Sequence, residues 1–130
     1  ALLACADERL AFSIPVVPPA NLVDMVFEWP VLGHLIRGSL KAVGIPIQEA
    51  RHTLAVNSPL TWQPLLPKEQ LMIVAGLDDR ITFAKHSKLL WEHWQRPRIH
   101  WFAGGHILHW GKSDYLKAMR RFWDEIDFKP

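Results

Sequence analysis

Leu71-Met72-Ile73-Val74-Ala75-Gly76-Leu77-Asp78-Asp79 opens the stretch on which the fold turns, and Ile99-His100-Trp101-Phe102-Ala103-Gly104-Gly105-His106 closes it. The first apolar run, Gln70 to Ala75, has no polar alternation, the pattern of a strand buried on both faces. It stops at Gly76, and two acids follow. The second run, Arg98 to Phe102, stops before Gly104-Gly105, and a histidine follows. Between them, Phe83 to Gln95 has helical spacing (Phe83, Ser87, Leu90, Trp94), with Thr82 as the expected cap and Pro97 as the stop. An acid and an imidazole thus lie just past the ends of two successive strands. In open α/β sheets reactive groups collect at those carboxyl ends.

Working outward, Ser113 is expected to cap a last helix whose core face is Tyr115, Leu116, Met119, Phe122, Trp123 and Ile126. Upstream, Leu10 to Val17 reads as a further strand, although Pro15 removes a ladder donor and is tolerated only at a strand end or bulge. Residues 1–7 read as the end of a helix rich in small residues. Residues 21–45, with Trp29-Pro30 and three glycines, read as one or two short helices in an excursion from the sheet. Pro46 suits the first turn of a helix running to about Asn57. Strands alternating with helices predict a parallel sheet. Three strands alone leave an unpaired edge, and the chain starts mid-pattern at Ala1. The expectation is that an N-terminal part of a larger protein precedes it.

The 130 residues suffice for one small domain, with 49% apolar residues, seven Trp and six Phe to fill a core. A net charge of +2 with interleaved signs leaves no footprint for nucleic acid or an anionic membrane. No apolar run approaches the roughly 20 residues that span a bilayer, and no secretory signal is evident. The single Cys5 can form no internal disulfide; it says little about compartment and is compatible with a reducing one, so the compartment stays open with the cytoplasm favoured. It reads as a small packing residue. The tryptophans at 91, 94, 101, 110 and 123 read as core, with Trp110 also near enough to His106 to line a pocket.

Together, Gly76-Leu77-Asp78-Asp79 and Gly104-Gly105-His106, 27 residues apart at Asp79 and His106 with one helix and one strand between, resemble the C-terminal part of the α/β-hydrolase superfamily. The resemblance covers most of the chain. It implies an α/β fold: a partial α/β-hydrolase-like parallel sheet of about three strands, with flanking helices and a small helical cap. Residues 1–130 would form the C-terminal part of one such domain, with 21–45 as the cap or lid segment. It also implies Asp79 as acid and His106 as base of a Ser-Asp-His triad, in the family's chain order of nucleophile, acid, histidine. The expected chemistry is esterase-, thioesterase- or amidase-like, through an acyl-enzyme and with no cofactor. The partners are a small-molecule ester or amide substrate and an absent N-terminal half of the fold. The family's Gly-x-Ser-x-Gly is not in this chain, because Ser13, Ser39, Ser58, Ser87 and Ser113 lack the flanking glycines. The nucleophile would lie upstream of Ala1, and this chain alone would be inactive.

Plainer readings stand beside these. Asp79 can be a loop or helix-capping acid, with Asp78 as its alternative. His106 can be a solvated loop residue, with His109 as the alternative base. His106 and His109 with either acid make a candidate metal set. His86 and His93 read as surface or half-buried side chains. Met25, Phe27, Trp29 and Leu32 can wall a substrate pocket or simply pack. The competing class is a non-catalytic ligand- or protein-binding module of the same resemblance.

Overall fold

The computed structural model describes residues 1–109 and 112–129, with the backbone alone at Lys112. The chain forms a short 3-10 turn (Leu2–Cys5), helices α1 (Leu22–Glu28), α2 (Leu32–Ala42) and α3 (Ile47–Leu54), strand β1 (Met72–Gly76), helix α4 (Ala84–His93), strand β2 (Arg98–Phe102) and helix α5 (Lys112–Glu125). Further 3-10 turns span Ala55–Asn57 and Lys68–Gln70. β1 and β2 pair in parallel, from Met72 against Arg98 to Gly76 against Phe102.

All five residues of β1 are buried, as the unbroken apolar run predicts. Leu71, Ile73 and Ala75 face one way, into a cluster with Leu90 of α4, Trp94 just after it, Ala4, Ala20 and Leu66. Met72 and Val74 face the other way, against Phe102, Phe122 and Val17, with Tyr115, Ala118, Met119, Trp123 and Ile126 of the α5 segment around them. The period of two thus divides one strand between two helical layers. Each fully buried Leu, Ile, Val or Met side chain contributes about 1.5–3 kcal/mol.

The three-stranded, α/β-hydrolase-like sheet expected from the sequence is not what forms: among the described residues the sheet has two strands, β1 and β2. Residues 10–17 run beside β1 but are joined to it only by isolated bridges, Ser13 to Leu71 and Val16 to Val74. Ser13 exchanges both its backbone bonds with this edge, donating to Gln70 and accepting from Met72. Pro15 accepts from the Val74 N–H at 3.0 Å but has no N–H to return. Val17, at φ +44°, then turns out of extended geometry. A ladder missing one donor and ended two residues later does not become a strand.

Other expectations shift less. Residues 2–5 form a 3-10 turn. α4 begins at Ala84, and its cap position, Phe83, makes no side-chain capping bond, so Thr82 is not its cap. α5 begins before Ser113, which lies inside the first turn. On α5, Leu116 is exposed, and Ala118 packs in the core instead. Trp94 is fully buried and Trp91, Trp101 and Trp123 are half-buried; Trp110 lies outside the described residues.

The excursion folds as expected into short helices. Asn21 caps α1 by accepting from the Val23 and Asp24 amides. A Cβ at Gly33 would stand 2.4 Å from the Phe27 carbonyl oxygen, so glycine is what lets α2 start against the end of α1. Arg37 donates to that same carbonyl at 2.6 Å, and Arg51 of α3 pairs with Asp24 of α1 at 2.7 Å. Among the described residues no helix is long and apolar enough to cross a membrane.

If α5 is held to the sheet by Phe122, then Phe122→Ala should cost about 3–5 kcal/mol in chemical denaturation. Leu116→Ala, on the exposed side of the same helix, should change stability by less than about 1 kcal/mol.

Candidate functional site

The pairing of β1 and β2 continues beyond both strands. The Leu77 amide donates to Phe102 O and the Asp78 amide to Gly104 O, each at 3.0 Å. This contact needs bare backbone on both sides. A Cβ on Gly76 would lie 2.9 Å from Gly104 O, and one on Gly105 would lie 2.9 Å from Asp78 O and 3.3 Å from the Asp79 Cα. Gly104 also has φ +119°, open to glycine alone without strain. The Gly105 amide donates to Leu108 O and Gly104 bridges His109, folding 104–109 back on itself.

The outcome is that Asp79 and His106 meet. His106 Nδ1 lies 3.1 Å from Asp79 Oδ2. The Asp79 side chain is wholly buried, while that of His106 is 38% exposed. Asp79 Oδ1 accepts from the Ile81 and Thr82 amides, both at 2.8 Å. An ionised carboxylate can only accept, so Nδ1 carries the proton, and Nε2 is the nitrogen left for other chemistry. The plain reading of Asp79 as a loop-capping acid therefore holds for one of its oxygens, and the pairing with His106 occupies the other.

α1 closes over the Asp79 loop. Trp29 Nε1 donates to Ile81 O at 3.0 Å. Glu28 pairs with Lys85 at 2.6 Å and with His86 Nε2 at 3.2 Å. Thr82, buried, has its hydroxyl 3.9 Å from Met25 Sδ and 3.4 Å from His106 Nδ1. Two clefts flank the pair. One, of about 300 Å³, is lined by Asp78, Arg80, Ile81 and the loop from Gly104 to Leu108, His106 included. The other, of about 570 Å³, runs along Glu28, Asp78, Asp79, Arg80, Phe83 and Lys85.

The remaining candidates fall away from this arrangement. Asp78 is exposed. His109 donates from Nε2 to the His106 carbonyl and packs its ring against Phe102 and Tyr115, so it faces no acid. Among the described residues no three His, Cys, Asp or Glu side chains gather to hold a metal ion. No serine hydrogen-bonds to His106 among the described residues; Ser58 is buried and donates to Ala20 O. Burial pushes the Cys5 thiol up, away from the reactive thiolate. Of the residues read as either a pocket wall or simple packing, Met25 and Trp29 pack against the Asp79 loop. His86, expected at or near the surface, is 1% exposed and bonded to Glu28. Thr82, expected as the cap of the following helix, instead lies beside His106. Asp79-Arg80-Ile81-Thr82 is a turn in which the acid bonds the amides two and three residues on, and that pattern was the available signal.

The chain is 33% identical over 113 residues to each of two Mycobacterium tuberculosis proteins, "Uncharacterized protein Rv2627c" of strain ATCC 25618 / H37Rv and "Uncharacterized protein MT2702" of strain CDC 1551 / Oshkosh. The match covers 81% of this chain and 24% of each relative, so the chain spans about a quarter of the length of the curated relatives it matches. No family model matches the chain, and no solved structure matches it.

Asp79→Ala should leave two amides without their acceptor and cost about 1–3 kcal/mol, with faster hydrogen exchange at Ile81 and Thr82. Asp78→Ala, by contrast, should stay within about 0.5 kcal/mol and leave both amides protected.

Proposed function

We propose that this chain supplies the acid, Asp79, and the base, His106, of a serine hydrolase acting on an ester, thioester or amide through an acyl-enzyme, the serine coming from outside these 130 residues. The reading rests on the Asp79–His106 pair: a buried carboxylate with both oxygens engaged, bonded to Nδ1 of an imidazole whose ring is part-exposed. The resemblance of its two glycine-flanked motifs to the α/β-hydrolase superfamily gives the pair its roles. Nε2 of His106 takes the proton of the attacking hydroxyl as the serine oxygen bonds to the acyl carbon. The same nitrogen then returns that proton to the leaving group. Asp79 holds the Nδ1–H tautomer and stabilises the imidazolium while it exists. Water, activated in the same way, releases the acid and regenerates the serine.

The test is labelling of the full-length protein with a serine-directed fluorophosphonate. Stable labelling is expected, slowed roughly 10³–10⁴-fold in His106→Ala and in Asp79→Asn. A folded full-length protein that takes no label overturns the proposal and favours a non-catalytic binding module.

A further inference from the structure

We infer that Thr82 is a positioning residue for His106, its hydroxyl serving beside Asp79 as a further acceptor for the Nδ1–H; the inference rests on the roles just proposed. Three observations carry it. The Thr82 side chain is buried, with the residue 2% exposed, so water is not the default partner for its hydroxyl. Its Oγ1 lies 3.4 Å from His106 Nδ1, on the nitrogen that Asp79 Oδ2 already approaches at 3.1 Å. Its own proton has a separate outlet in Met25 Sδ at 3.9 Å, a weak acceptor from α1.

The donor and acceptor count fixes the directions. A carboxylate cannot donate, so the Nδ1 proton belongs to His106 and is shared between Asp79 Oδ2 and Thr82 Oγ1. With the hydroxyl proton turned to sulfur, an oxygen lone pair faces that N–H. One acceptor leaves an imidazole free to swing about a single bond. Two acceptors on different residues restrict that swing and so aim Nε2. The backbone of Thr82 is fixed as well, since its amide donates to Asp79 Oδ1 and the neighbouring Ile81 carbonyl accepts from Trp29. Both acceptors of the Nδ1 proton thus stand on one braced turn.

Two substitutions separate this role from packing. Thr82→Val keeps the volume and removes the hydroxyl, while Thr82→Ser keeps the hydroxyl and removes the methyl. The readout is the downfield NMR signal of the His106 ring N–H in the full-length protein, with the fluorophosphonate labelling rate beside it. In Thr82→Val the signal should move upfield and its solvent exchange should quicken about tenfold, a hydrogen bond's worth, with labelling slowed several-fold. Thr82→Ser should restore both. An unchanged signal in Thr82→Val, or no protected ring N–H in the unsubstituted protein, overturns the inference. A protein that shows the expected signal changes but takes no label keeps the Thr82 role in holding the ring and discards the hydrolase reading.

Discussion

A strand with no exposed side chain constrains everything around it. Met72–Gly76 is covered on one face by Leu90 and Trp94 and on the other by Phe122. Its backbone must therefore be paired along its edges, because a buried amide without a partner costs about 1–3 kcal/mol. β2 satisfies one edge in full register, and residues 13–17 satisfy the other in part. Once that register is set, the chain beyond each strand end is set too. The Leu77 and Asp78 amides carry the pairing two residues further, and glycines at 76, 104 and 105 let the two loops touch through bare backbone. The meeting of Asp79 with His106 follows from strand register together with the glycines that let the two loops touch.

That chain of causes explains what the sequence disclosed. The unbroken apolar run predicts a doubly buried strand, and the helical stripe after it predicts α4: Ser87, Leu90 and, just past its end, Trp94 are buried, while Phe83 is half-buried. The acid that the resemblance implies, Asp79, is the buried one of the two, while Asp78 is exposed. Residues 10–17 misled because a strand is a property of its partner's hydrogen bonds as much as of its own pattern. The absent N–H at Pro15 was legible in the sequence, but the turned φ at Val17, which ends the pairing, was not. His86 and Thr82 misled for another reason. Both are polar residues beside a helix start, where exposure or capping is the ordinary outcome. Their burial is imposed by α1, which is more than fifty residues away in the chain.

α1 and the residue that ends it, Trp29, contact the Asp79 loop and the start of α4 through three residues in different ways. Met25 meets the Thr82 hydroxyl, Glu28 takes both Lys85 and His86, and Trp29 caps the Ile81 carbonyl. The exposed Lys85–Glu28 pair adds little by itself. The bond from Trp29 counts for more, because it is part-buried and satisfies a loop carbonyl. In this way the helical excursion serves the Asp79 turn directly, whatever its outer surface does.

The buried carboxylate itself explains why position 106 takes an imidazole. Asp79 is wholly shielded from water, yet no Lys or Arg reaches it among the described residues. An unpaired ion in that setting would be costly. Two amide dipoles stabilise Oδ1, which leaves Oδ2 in need of one donor that is itself anchored. A lysine or arginine there would neutralise the charge permanently and present no basic lone pair to solvent. A histidine donates from one nitrogen, can take up positive charge when needed, and keeps its other nitrogen outside. The same desolvation that leaves Oδ2 in need of a donor is met by a side chain that keeps a second nitrogen for the proposed chemistry.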